Sequence, residues 1–134
     1  MKHQELVQRA IEVRERAYAP YSHFKVGAAL QTTGGELFVG ANVENASYGL
    51  TICAERNAIA AAVSAGARKF SSIAVVSGPG ASMCGACRQV LVEFADEATE
   101  ILLANAAGEF RVLHIEDLLP GAFNPADLLG HVEG

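Results

Sequence analysis

Residues Phe24 to Val43 read FKVGAALQTTGGELFVGANV, and this stretch decides what kind of sheet the chain builds. Phe24 to Gln31 follows a strand pattern, Thr33-Gly34-Gly35 reads as a turn, and Leu37 to Val43 as the antiparallel return. Upstream, Leu6, Val7, Ala10, Ile11, Arg14 and Ala17 trace a mostly apolar helical face, stopped at Tyr18-Ala19-Pro20. Downstream, Cys53 to Ala65 is alanine-rich and ends before Gly66, a helix with a glycine after its last turn. Ser72 to Val76 reads as a buried strand, Ser77-Gly78-Pro79-Gly80 as loop and Cys87 to Ala95 as a helix. Ile101 to Ala104 and Phe110 to Leu113 are strands flanking a turn at Ala106-Ala107-Gly108, and Ile115 to Leu119 is a last short helix. The predicted order is α-β-β-α-β-α-β-β-α. Strands interleaved with helices imply an α/β fold, a layered α-β-α sandwich. The opening hairpin makes its five-stranded sheet mixed rather than parallel.

Composition narrows the function. The 134 residues suit one domain, 1–134, and no linker, repeat or low-complexity segment divides them. A formal charge of −5, with scattered basic residues, argues against a nucleic acid polymer as partner, because phosphate neutralisation needs a basic patch. A small-molecule ligand fits better. No apolar run is long enough for a membrane span. The start, MKHQELVQRA, lacks the apolar core of a secretory signal, so the expected location is cytoplasmic. Three cysteines are an odd number, poorly suited to a disulfide framework and better suited to metal or chemistry.

Those cysteines sit at two helix starts. Cys53-Ala54-Glu55-Arg56 opens one helix and Cys84-Gly85-Ala86-Cys87 opens the next. A helix N-terminus favours the thiolate, the form that binds metal. Three thiolates fill three corners of a zinc tetrahedron and leave the fourth for water, the arrangement of a catalytic site. Glu55, two residues after Cys53, either supplies a fourth ligand or reaches the activated water; spacing alone leaves both open. Arg56 is well placed to donate to the ligand sulfurs and offset part of their charge. Taken alone, Cys84-x-x-Cys87 also reads as a dithiol redox pair; Cys53-Ala-Glu argues against that. His3, His23, His114 and His131 match no ligand spacing.

FKVGAAL (Phe24 to Leu30), NVENASYG (Asn42 to Gly49), CAER (Cys53 to Arg56), CGACRQV (Cys84 to Val90) and LLPGAF (Leu118 to Phe123) resemble the cytidine deaminase family, in order and at suitable spacing. The resemblance implies hydrolytic deamination of cytidine and deoxycytidine in pyrimidine salvage, with Zn2+ as cofactor. It also implies that activated water attacks C4 while Glu55 takes the water proton, protonates ring N3 and then helps the amino group leave as ammonia. By the same resemblance Asn42 and Glu44 bind the ribose, the backbone at Ala54 and Glu55 meets the base, and Phe24 lines the pocket. Tyr48 and Phe123 are similar to residues supplied to a neighbouring subunit's site in a homotetramer. One position departs from the family pattern, which has proline before the Cys-x-x-Cys where this chain has Met83. Methionine leaves that turn freer than proline would. A blasticidin-type aminohydrolase and a non-catalytic zinc or dithiol module are the rival readings; the Asn42-Val-Glu-Asn45 segment favours cytidine.

Overall fold

The two faces of one sheet sort their residues by strand alternation. In the computed structural model, which describes residues 1–130, the strands are β1 (Val26–Thr32), β2 (Leu37–Ala41), β3 (Phe70–Ser77), β4 (Glu100–Ala104) and β5 (Phe110–Leu113). They form one five-stranded sheet in the order β2-β1-β3-β4-β5. Only β3 and β4 run parallel; the other neighbours are antiparallel, so the sheet is mixed as predicted. Leu30, Ile73, Val75, Ile101 and Leu103 point to one face, while Ala29, Ala74, Val76, Leu102 and Ala104 point to the other. Helix α1 (His3–Arg14) covers the second face with Leu6, Val7 and Ala10. Helices α2 (Ala54–Ser64) and α3 (Gly85–Val92) cover the first with Ala58, Ile59, Ala62, Cys87 and Leu91. This is the layered α/β sandwich.

The hairpin opens where side chains replace ladder bonds. β1 starts at Val26 rather than Phe24 because the Phe24 carbonyl accepts from Asn42 Nδ2 (2.8 Å) and the Lys25 carbonyl from Arg14 Nε (2.9 Å). At its other end, Gly35 holds φ +90° in the turn, a conformation glycine adopts without strain. Gly40 on β2 answers a different need: a Cβ there would lie 2.5 Å from the Ala58 nitrogen and 2.7 Å from the Ala54 carbonyl. Bare backbone at residue 40 therefore lets the first turn of α2 sit directly on β2.

Helix α1 ends three residues before Ala17, its predicted last turn. Tyr18 N–H donates to the Asn42 carbonyl at 2.9 Å, and Glu44 N–H to the Tyr18 carbonyl at 2.8 Å. That bridge draws the chain out of helical geometry. Helix α4 (Ile115–Leu118) falls where expected. Two elements were not predicted, a 3₁₀ turn at Tyr48–Leu50 and helix α5 (Pro125–Leu129). Asn124 and Asp127 cap α5 reciprocally, with Pro125 in its first turn, a signal present in the sequence but overlooked. Among the described residues no helix is long and apolar enough to cross a membrane. His131 lies outside the described residues.

Candidate active site

Cys53 and Cys84 are the residues immediately before α2 and α3, and the sheet brings those two helix starts together. Cys84 Sγ lies 3.2 Å from Cys87 Sγ and 3.9 Å from Cys53 Sγ, and all three sulfurs lie within 4.8 Å of one another. A tetrahedral zinc with Zn–S bonds of about 2.3 Å separates its sulfurs by roughly 3.8 Å. The trio brackets that spacing, and its soft sulfur donors suit zinc. The Glu55 carboxylate is not among the groups of this cluster, although it lies close enough to Cys87 to share a hydrogen bond with it.

The electrostatics of the metal-free trio are unequal. Cys53 is lowered to about 5, chiefly because the Cys87 thiol hydrogen-bonds to it, with help from Arg56 and against the cost of burial. Cys87 moves the opposite way, since it holds the proton it shares with Cys53 and is buried beside Glu55. A metal binds sulfur as thiolate, so any metal held by this trio would be favoured as pH rises. Arg56 Nη2 lies 3.7 Å from Cys53 Sγ and 3.4 Å from the Thr51 carbonyl, as its position beside the ligands suggested.

Glu55 occupies the first turn of α2 and is 4 % exposed. Burial raises its pKa, its own backbone N–H works against that, and the Cys53 charge adds to the rise. It faces a cavity of about 390 Å3 that Phe24, Asn42, Glu44, Tyr48, Cys53 and Ala54 also line. One end holds Cys53, Cys84 and Glu55, while Cys87 lies outside the lining. The other holds Asn42 and Glu44.

At that second end the polar groups are already tied down. Asn42 Oδ1 accepts from Val26 N–H at 2.8 Å, while its amide donates to Phe24. Glu44 Oε1 accepts from the backbone N–H of Tyr21 and of Ser22, each at 3.0 Å, and Oε2 from the Ser22 hydroxyl. The Tyr48 hydroxyl reaches the same carboxylate at 3.5 Å. Burial acts to raise the Glu44 pKa, but these donors outweigh it and hold the group below its ordinary value. Both side chains retain free capacity, a second amide proton on Asn42 and spare lone pairs on Glu44.

Phe123 stands apart from this cavity, its ring 60 % exposed and its carbonyl accepting from Gln89 Nε2 at 2.7 Å. Met83 is only 3 % exposed, packed in the same core cluster as Cys87. Its turn lacks the proline ring yet is anchored by the buried side chain. Sequence reasoning missed Ser22, Thr51, Ser77 and Ser82 as cavity residues. No short motif marks them; Ser22 meets Glu44 only because the loop before β1 crosses the end of β2.

With this geometry in view, the comparisons with known proteins are consistent. Residues 1–103 match the family model "Cytidine and deoxycytidylate deaminase zinc-binding region". The chain is 48 % identical over 130 residues to the cytidine deaminase of Halalkalibacterium halodurans, covering 96 % of this chain and 98 % of that one. It is 45 % identical to the cytidine deaminase of Sporosarcina psychrophila, with 93 % of each chain covered. Among solved structures, the cytidine deaminase of Burkholderia pseudomallei superposes with a TM-score of 0.88 at 52 % identity, over 92 % of this chain and all of that one.

Proposed function

The chain belongs to the cytidine and deoxycytidylate deaminase zinc-binding family, and from that premise we propose that it converts cytidine, and deoxycytidine, with water to uridine or deoxyuridine and ammonia. The observation that carries this reading is a buried carboxylate, Glu55, sharing one cavity with Cys53 and Cys84, whose sulfurs converge with that of Cys87. Cys53, Cys84 and Cys87 are the zinc ligands. Zinc supplies a Lewis acid that makes water acidic near neutral pH. Everything else falls to side chains.

Glu55, with its pKa raised by burial, is suited to hold a proton between steps. It takes one proton from the attacking water and gives it to ring N3, then takes the second from the hydroxyl formed at C4 and passes it to the exocyclic nitrogen, so that the C4 carbonyl forms as ammonia leaves. Water is consumed and ammonia released, so the reaction needs no redox partner. Arg56 offsets thiolate charge at Cys53. Asn42 donates its free amide N–H to a ribose hydroxyl and the ionised Glu44 accepts from one, the Ala54 and Glu55 backbone meets the base, and Phe24 walls the pocket.

Residues 1–134 act as one catalytic domain in a cytoplasmic enzyme of pyrimidine salvage, assembled as a homotetramer. Tyr48 and Phe123, both exposed aromatic residues, contribute to shared sites at the subunit contacts. The direct test is ammonia release from cytidine by purified protein alongside its zinc content. One zinc per chain with turnover supports the reading. Cys84→Ala protein that keeps full zinc would refute the ligand assignment.

A further inference from the structure

The loop that leads into Cys84 has no regular structure between Gly80 and Met83, yet it must deliver an exposed ligand sulfur to a defined point. Its last two residues are held from behind by one side chain. Arg88, one position beyond Cys87 on α3, donates through Nε to the Met83 carbonyl at 2.8 Å and through Nη2 to Ser82 Oγ at 2.8 Å. Its third nitrogen, Nη1, donates to the Leu118 carbonyl at 2.6 Å, at the end of α4 and thirty residues away. The acceptors therefore belong to two segments, the loop entering the Cys-x-x-Cys turn and the stretch leading to Phe123. Gln89, the next residue, donates to the Phe123 carbonyl and ties the same stretch to α3.

We propose that Arg88 is a positioning residue of the zinc centre, clamping residues 82–83 so that Cys84 and Cys87 move as one unit. This rests on the assignment of Cys53, Cys84 and Cys87 as the ligands. The chemistry explains the residue type. A guanidinium presents its N–H groups in a rigid planar fork, so one side chain meets three acceptors at fixed angles. A lysine ammonium is a compact charge on a flexible stem and cannot hold that geometry. The clamp also explains how a turn carrying Met83 stays defined. A proline ring would restrict the backbone at residue 83; here the carbonyl of that residue is fixed instead, by a side chain anchored one position past the second ligand of the pair.

The test compares full-length wild type, Arg88→Lys, Arg88→Gln and Arg68→Gln. Arg68 is the control because its Nη1 also caps carbonyls, those of Val63 and Ala67, at the far end of α2. Zinc affinity is measured by chelator competition, and the Co2+-substituted proteins are compared by their thiolate charge-transfer and d–d absorption. Arg88→Gln should bind zinc about tenfold to a hundredfold more weakly, the usual cost of losing an outer contact to a metal site, with shifted Co2+ bands. Arg88→Lys should restore only part of both, and Arg68→Gln should match wild type in both. Wild-type zinc affinity and an unaltered Co2+ spectrum in Arg88→Gln overturn the proposal, even with a lowered melting temperature. If Arg88→Gln does not fold, the same wild-type behaviour in Arg88→Lys overturns it. Failure of the wild type to bind one zinc would instead defeat the ligand assignment.

Discussion

Glu44 and Glu55 line the same cavity and are equally buried, each 4 % exposed, yet their acidities move in opposite directions. Glu55 sits at the start of a helix packed on the sheet, where desolvation outweighs its own N–H and raises the pKa. Glu44 sits in the loop beyond β2, and the Ser22 hydroxyl, two backbone N–H groups and Tyr48 outweigh its desolvation. Low exposure alone does not decide the role of a carboxylate; the balance between desolvation and the donors aimed at it does. One end of the site is built to exchange a proton, the other to stay ionised and accept hydroxyl groups.

The sharpest way to break this contrast is to remove the proton carrier without changing its shape. Glu55→Gln should retain wild-type zinc content while kcat falls by about 10²–10⁴-fold. Loss of zinc along with activity would make Glu55 a ligand and erase the distinction from Glu44. At the other end, Glu44→Ala should lower kcat/KM for cytidine about ten- to a hundredfold, the loss of a hydrogen bond from a substrate hydroxyl to a charged acceptor. Residual action on free cytosine, which has no sugar, should change far less. Equal losses on nucleoside and base would mean that Glu44 supports the loop and does not read the sugar.

Neither end supplies an aromatic ring from the helix starts, which directs attention to Phe123. Phe123→Ala should reduce kcat/KM about ten- to a hundredfold at unchanged zinc content, for a stacking contact of roughly 1–3 kcal/mol. Mixing Phe123→Ala with Glu55→Gln subunits should raise activity above the sum of the parents after exchange. No gain, despite demonstrated exchange, would place the ring's effect within its own chain.

The smallest effect carries the clearest sign. In zinc-stripped protein, a carboxyl with a raised native pKa stabilises the fold below its unfolded value of about 4.3, and that contribution disappears as pH rises through the native value. Glu55→Gln should therefore gain melting temperature relative to wild type as pH rises from 4 to 8. Glu44 has a lowered native pKa, so its contribution is present above about pH 4.3 and fades as pH falls through the native value. Glu44→Gln should lose melting temperature at pH 7, with the gap closing in acid. Shifts of the same sign at pH 7 would contradict the opposed electrostatics.

Much of this molecule was legible as local chemistry. Strand alternation in Phe24 to Val43, the glycine turn and the alanine-rich run after Cys53 announced the mixed sheet and its covering helices, because side-chain period and turn geometry act over a few residues. Cys53, Cys84 and Cys87 announced a metal by donor type and helix-start position. Helix α5 escaped although its capping pair is local, whereas the early end of α1 could not be read locally, since it depends on Tyr18 bonding across to Asn42 and Glu44.

By itself, then, the sequence determined which donors exist and on which element each one rides. Only the tertiary structure decided what each donor meets. Cys53 and Cys84, thirty-one positions apart, converge because α2 and α3 start at the same end of the sheet, and Glu55 stays outside their cluster. Tyr21 and Ser22 reach Glu44 across 23 and 22 positions of chain, and Arg88 reaches Leu118 across 30. Propensity and spacing act through neighbours along the backbone, whereas a pKa or a clamp depends on groups that only packing brings within hydrogen-bond range.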